Sequence, residues 1–235
     1  MGIALDISLD IDDMPRAVQR TRTVKKLLED DVAGLNAHTE THSPYPLRFQ
    51  LVPSALELKE REFESCIGLV ERTSGDDYRA SSIGWNTRKK KDEMMDREML
   101  YLLVRPGDVE PATDGDRADK EHHVENSRIL GFISFMFTWD DPPHEEREVV
   151  YVYEIHLDES LRGKGLGSRL IGFVEHVARE CQVEKTMLTV FTANKGAKNM
   201  YEKLGYDRDE CSPHDRVVRN RIIKPEYVIM SKMLV

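Results

Sequence analysis

The residues that most directly promise chemistry in this 235-residue chain are Leu161-Arg162-Gly163-Lys164-Gly165-Leu166-Gly167-Ser168. Three glycines alternate with larger residues, and a cation stands on each side of the first. Glycine lets an anion approach backbone N–H groups with no Cβ in the way. At the start of a helix those N–H groups are unpaired and carry the positive end of the dipole. Arg162 and Lys164 add full charges, so a phosphate or pyrophosphate is the natural guest. The Gly-x-x-x-x-Gly-Lys-Ser/Thr phosphate loop is not met. A Gly-x-Gly-x-x-Gly fingerprint counted from Gly163 and Gly165 finds Ser168 in its third place. The spacing that is met is Arg-x-x-Gly-x-Gly, through Arg162, Gly165 and Gly167. A glycine-rich turn without a ligand is the plain alternative.

Just upstream, Glu154 is a lone carboxylate in the apolar and aromatic run Tyr151-Val152-Tyr153-Glu154-Ile155-His156-Leu157. Such surroundings are expected to raise its pKa toward the range of a useful base. A glutamate on a solvated strand face is the bland reading. In regular strand alternation Tyr153 and Glu154 point to opposite faces. Only a kink would aim both at one spot, and a bulge supplies one.

The elements that must position these residues follow from periodicity. Val149 to Leu157 reads as a strand, rich in β-branched and aromatic residues. After the glycine stretch the period changes: Leu166, Leu170, Ile171, Val174, Val177 and Cys181 recur at helical spacing. Thr186 to Phe191 is a further strand, Ala193 to Leu204 a helix closed by Gly205, and Tyr227 to Leu234 a final strand. Upstream, Leu100 to Val104 and Ile129 to Thr138 read as strands, and Ala55 to Tyr78 as mostly helix. Arg88-Lys89-Lys90-Lys91, with Asp92, Glu93 and Asp96 following, predicts a solvated helix face. Pro106 to Asn126 and His38 to Pro46 read as loops, and Arg16 to Leu35 as a helix with Val24, Leu27, Leu28, Val32 and Leu35 on one side.

Composition narrows the function classes. Apolar residues make up 40% of the chain, enough for a core, yet no run of about 18 of them predicts a membrane span. Met1 to Asp13 lacks the pattern of a signal peptide, and Asp6 occupies the place where myristoylation wants Ser or Thr. Three scattered cysteines predict neither a disulfide framework nor a zinc site, and fit a reducing compartment. A net charge of −9 argues against non-specific nucleic-acid binding and suits a basic partner. One α/β domain over residues 46–235, preceded by a helical or irregular segment over 1–45, is expected, with no metal.

The Arg162-x-x-Gly165-x-Gly167 loop resembles the pyrophosphate loop of the GNAT acetyltransferases. Thr189-Val190-Phe191-Thr192-Ala193-Asn194, followed by Ala197, Tyr201, Gly205 and Tyr206, resembles their later motif at the right distance, one helix and one strand on. The resemblance implies a mixed, mostly antiparallel central sheet, splayed at the cofactor site and flanked by helices. It also implies acetyl-coenzyme A as cosubstrate, held by Ile155, His156, Leu157, Arg162, Gly163, Lys164, Gly165, Leu166, Gly167, Ser168, Thr189 and Asn194.

A narrower resemblance is carried by Tyr151 to Leu157, Met187-Leu188-Thr189-Val190-Phe191, Tyr78 ahead of Gly84-Trp85, Lys91-Asp92-Glu93-Met94, and Glu226 to Lys232. Together they are similar to the NatD type of N-terminal α-acetyltransferase, which acts on histone four and histone two-A. That similarity implies Glu154 and Tyr153 as catalytic residues. It implies Tyr78, Trp85, Asp140, Tyr151, Tyr153, Cys211 and Tyr227 around the peptide. The acidic residues Asp140, Asp141, Glu145, Glu146, Glu148, Asp207, Asp209 and Glu210 could then attract a basic tail, one carboxylate taking its arginine bidentately. His156 is a second base, ranked behind Glu154. The chain departs from the NatD pattern at Ile83, where that pattern has tryptophan, and its aspartate could correspond to Thr138 or Asp140. A monomer of the nucleus and cytoplasm, touching neither nucleic acid nor membrane, is expected. A lysine or small-amine acetyltransferase, and a non-enzymatic binding module, are the competing readings.

Overall fold

The computed structural model describes residue 16 and residues 19–30, 46–107, 128–218 and 221–234. Residues 19–30 form helix α1. In chain order there follow β1 (Leu47–Val52), α2 (Glu60–Ala80), α3 (Thr87–Met94), β2 (Leu100–Pro106), β3 (Gly131–Trp139) and β4 (Glu148–Leu157). The second half holds α4 (Leu166–Glu180), β5 (Lys185–Phe191), α5 (Lys195–Lys203), β6 (Asp207–Arg208), β7 (Arg216–Val218), β8 (Arg221–Ile223) and β9 (Tyr227–Met233).

Seven strands form one sheet in the order β1-β2-β3-β4-β5-β9-β6, and β7 and β8 make a separate hairpin. Among the described residues only the β4–β5 pair is parallel. A parallel step needs a crossover, and α4 provides it. The mixed, mostly antiparallel sheet flanked by helices agrees with the expected fold. β1 went unread because its Arg48 and Gln50 break the apolar run.

Strand alternation divides the core into two layers. Leu100, Leu102 and Val104 of β2 face one side, with Ile133 and Phe135 of β3 and Val150 and Val152 of β4. That side is covered by α4, through Leu170, Ile171, Val174 and Val177, and by Val24, Leu27 and Leu28 of α1. Tyr101 and Leu103 face the other side with Phe132 and Met136, beneath Phe63, Cys66, Ile67 and Val70 of α2 and Met94 of α3. The helix expected near the N-terminus is therefore docked on the sheet. Val32, Leu35 and most of the two expected loops lie outside the described residues, and the boundary expected at 45/46 adjoins them.

The basic run forms α3 as expected, capped by Asn86, whose side chain accepts from Lys89 N–H at 3.0 Å. It is not a uniformly solvated face. Lys90 is buried, at 6% exposure, and points at the sheet.

Candidate active site

The strand before the glycine loop is bulged. Ser134 of β3 pairs with Glu154, but the next residue, Phe135, pairs with Val152, leaving Tyr153 as the extra residue. The extra residue resets the alternation. Val152 and Ile155 pack with the α4 layer, while Tyr153 packs with the α2–α3 layer. Glu154 reaches Lys90 of α3 and His156 reaches Thr73 of α2. Tyr153 and Glu154 thus share a face, which a regular strand forbids.

β4 also leaves its parallel neighbour early. Pairing with β5 runs only from Val150 with Thr186 to Val152 with Leu188, while β5 continues to pair with β9 as far as Phe191 and Tyr227. Beyond Val152 the two strands splay, and two cavities open at the fork. One, of ≈ 610 Å³, is lined by Tyr78, Glu93, Tyr151, Tyr153, Glu154 and Tyr227 among others. The other, of ≈ 1130 Å³, runs along Leu157, Arg162, Gly163, Gly165, Gly167 and Ser168 to α5. Ile155, His156, Asn194, Ala197 and Tyr201 border both.

The glycine loop is built for backbone presentation. Gly163 and Gly165 have φ of 72° and 81°, a left-handed conformation that side chains resist. Gly165 is the N-cap of α4 and offers no side chain, so the first-turn N–H groups of the helix have no capping oxygen. Arg162 donates through Nε to Leu157 O at 2.9 Å, which ties the loop to the end of β4. Lys164 departs from expectation: its Nζ donates to Ser160 O at 2.8 Å, and it does not line the groove. Asn194 accepts from Ala197 N–H at 3.1 Å and caps α5, a bond that leaves its amide nitrogen out of the cap.

Glu154 is 7% exposed and held from two sides. Lys90 Nζ donates to its Oε1 at 2.8 Å, and His156 Nε2 lies 2.5 Å from its Oε2. Burial pushes its pKa up, as the sequence suggested. His156 and Lys90 together outweigh burial and hold the carboxyl down at about 2. The expected rise is therefore reversed, because Lys90 arrives from another element and His156, two residues on in the same run, bonds the carboxyl directly. Lys90 also donates to Glu93, and its ammonium lies 4.9 Å from the centre of the Tyr78 ring.

The aromatic wall gathers residues from α2, β4 and β5, with Trp85 of the segment between α2 and α3. Tyr78 packs edge-on against Trp85 at 5.5 Å and against Phe191 at 4.8 Å. Tyr151 and Tyr153 lie 5.1 Å apart, and the Tyr151 hydroxyl meets Thr189 Oγ1 at 2.5 Å. Burial raises the pKa of Tyr78 and of Tyr153, and that of Tyr151 to about 12, so these phenols stay protonated at neutral pH. Trp85 supports Tyr78 from behind and does not line the cavity.

Asp140 and Cys211 do not line either cavity. Asp140 is buried and accepts from Lys185 Nζ at 2.8 Å, and Lys185 also meets Asp209 at 2.6 Å. Two members of the expected acidic surface are thus consumed inside the fold. Glu148 pairs with Arg20 and Glu210 with His144. Cys211 is fixed by its N–H, which donates to Asp209 at 3.0 Å, and Ser212 accepts from Ile229 N–H at 3.0 Å. A buried anion needs a cation, and the Lys185 needed by Asp140 lies 45 residues on, beyond the reach of any local pattern.

Lys90 and Thr73 were missed. Lys90 sat in a run of cations that looked solvated, and Thr73 in a helix with no unusual spacing.

Residues 93–206 match the acetyltransferase (GNAT) family. Among curated proteins, N-alpha-acetyltransferase 40 of Saccharomyces cerevisiae is 28% identical over 194 residues, 71% of this chain and 61% of the yeast protein. The chain thus spans less than two thirds of that relative's length. YdgE of Bacillus subtilis, an uncharacterized N-acetyltransferase, is 27% identical over 64% of this chain and 88% of its own. Among solved structures, Arabidopsis thaliana NAA60 in complex with acetyl-CoA covers 80% of this chain and 98% of its own, with a TM-score of 0.51 and 11% identity. That likeness is one of fold.

Proposed function

We propose that this chain is a GNAT acetyltransferase and that it acetylates the N-terminal α-amine of a protein, the serine of a Ser-Gly-Arg-Gly histone four or histone two-A tail. The observation that carries the proposal is the position of Glu154. A bulge turns this buried carboxylate to the face of Tyr153, beside a fork whose two arms are separate cavities. One arm suits the donor and the other an aromatic-lined peptide end. The similarity to yeast N-alpha-acetyltransferase 40 supports the choice of an α-amine.

Acetyl-CoA is the donor, and the larger groove fits it. The β4 edge beyond Val152 has no β5 partner, so backbone groups of Ile155 to Leu157 are placed to pair with an extended pantetheine arm. The N–H groups opening α4 and the guanidinium of Arg162 suit the pyrophosphate. The thioester supplies an activated acetyl carbon. The chain must then strip a proton from the acceptor ammonium, whose ordinary pKa of about 8 asks for only modest help. Glu154 is anionic before the transfer and attracts that ammonium. Tyr78, Tyr153 and Tyr227 hold the first peptide residues. Carboxylates near Tyr153, namely Asp96, Glu93 and Asp141, replace Asp140 as the groups to meet a substrate arginine. Such tails occur in nucleus and cytoplasm, where the protein would act.

The test is acetylation of a Ser-Gly-Arg-Gly peptide, with the modified nitrogen located by fragmentation mass spectrometry. Acetyl on the leading serine supports the proposal. If a peptide with a blocked N-terminus is turned over as fast, the acceptor is a lysine side chain. Calorimetric binding of acetyl-CoA without turnover of any amine would leave only a binding module.

A further inference from the structure

The residues just past α2 and just before β9 meet at the rim of the smaller cavity. Ser82 gives Glu226 Oε2 two hydrogen bonds, from its backbone N–H at 2.9 Å and from its hydroxyl at 2.6 Å, across 144 residues. Tyr78 and Ile83, on the Ser82 side, and Tyr227, next to Glu226, all line that cavity. We infer that Ser82 and Glu226 are a pair of positioning residues that set the span between those two walls, and so how well the acceptor is held. The inference rests on the reading that this cavity takes the acceptor amine.

The two partners are anchored unequally. Glu226 is fixed to the sheet: its carbonyl accepts from Thr192 N–H at 2.8 Å and from Thr192 Oγ1 at 3.0 Å, just past the end of β5. Ser82 belongs to the link between α2 and α3, which is neither helix nor strand. Ser81, Ile83 and Gly84 bond within that link and the last turn of α2, to Tyr78 O, Ser81 Oγ and Ser81 O. Gly84 stands at φ 68° with open space where a side chain would be, so the backbone can turn there freely. Among the described residues, the link therefore reaches the sheet by hydrogen bonds through Ser82. Tyr78 meets Phe191 of β5 edge-on at 4.8 Å, an aromatic tie beside the polar one.

The pair suits positioning better than folding. Ser82 and Glu226 are both exposed, and a hydrogen bond that water can replace adds little to global stability. Ile83, the residue that departs from the NatD pattern, rides on the same link, 57% exposed and bordering the cavity. A change of span therefore moves Ile83 and the end of α2 that carries Tyr78. Neither Ser82 nor Glu226 lines the donor groove. The Ser82 hydroxyl first, and then its N–H, hold the Glu226 carboxyl below the usual carboxylate value, so it is an anion at neutral pH. A neutral amide oxygen in its place could accept the same two hydrogens, which separates the bond from the charge.

The test follows KM and kcat with whichever amine the wild-type chain acetylates. Glu226→Ala removes both bonds and should raise the acceptor's KM about tenfold, with kcat within about twofold and acetyl-CoA affinity by calorimetry unchanged. Glu226→Gln keeps an acceptor oxygen and should hold KM within about twofold of wild type. Ser82→Ala removes the hydroxyl alone, so it should raise KM less, and it should add nothing in a chain that already carries Glu226→Ala. KM unmoved by Glu226→Ala overturns the pair. So does a rise in Glu226→Gln equal to that in Glu226→Ala, which would make the carboxylate a direct charge on the peptide. An effect of Ser82→Ala that adds in full to that of Glu226→Ala overturns it too. A second readout needs no substrate. Amide hydrogen exchange of Ser82, followed by NMR in the free chain, should quicken about tenfold in Glu226→Ala and keep the wild-type rate in Glu226→Gln. A rate unmoved by Glu226→Ala sinks the pair even if no amine is acetylated. Absence of wild-type turnover, with exchange as expected, counts against the acetyl-transfer reading and not against the pair.

Discussion

Lys90 Nζ lies 2.8 Å from Glu154 Oε1 although 64 residues separate them, and both side chains are almost wholly buried. A lysine from a polar helix thus secures a buried carboxylate that lines the smaller of the fork's cavities, and it does so from the face on which Tyr153 also lies. Two groups a regular strand would separate, and a third from another layer, meet at one point.

Replacing Glu154 by glutamine keeps its size and one acceptor oxygen but removes the charge. kcat should fall by about a hundredfold or more, with acetyl-CoA affinity unchanged by calorimetry because Glu154 does not line the donor groove. A variant within a few-fold of wild type would remove Glu154 from the proton path.

Lys90→Met leaves Glu154 with His156 as its sole cation-capable partner. Breaking a buried pair costs about 3–5 kcal/mol, so Tm should drop. Glu154 in the wild type sits near 2, below the ordinary 4.5. Its contribution to stability is therefore full above the ordinary value and lost as pH falls through about 2. Removing Lys90 raises the Glu154 value, so acid unfolding followed by circular dichroism should begin at higher pH than in the wild type.

Lys185→Met tests the burial of Asp140. It strands Asp140 and Asp209 without their shared cation and should cost about 3–5 kcal/mol in denaturant unfolding. The KM for peptide should hardly change, since Asp140 does not border the peptide cavity. Asp209 is held well below, and Lys185 above, the usual value. Wild-type stability should accordingly be lost at both ends, in strong acid as Asp209 is protonated and in strong base as Lys185 loses its proton.

Gly165→Ala places a Cβ on a residue with φ of 81°. The strain alone is about 1–2 kcal/mol, and the methyl group intrudes at the anion-facing end of α4. Acetyl-CoA affinity should fall about tenfold or more, with kcat at saturation less affected. An unchanged affinity would move the donor's phosphates elsewhere.

The strand, glycine loop, helix, strand, helix order from Glu148 to Lys203 follows from apolar periods of two and then near four, and from glycines where the backbone turns left-handed. The need for a kink at Tyr153 was also legible, because two residues one apart cannot share a face of a regular strand. β1 and the β7–β8 hairpin were not, being short and mixed in polarity.

The sequence by itself determined the order of elements from Glu148 to Lys203, the left-handed glycine loop and the carboxylate beside it. These depend on neighbours within a few residues, where backbone geometry sets the outcome. Only the tertiary structure decided the protonation of that carboxylate, its coupling to His156 and Thr73, and the loss of Asp140 to Lys185. Those depend on which charges meet across 64, 83 and 45 residues. Electrostatic energy follows distance in space and burial, and neither is written in the spacing along a chain.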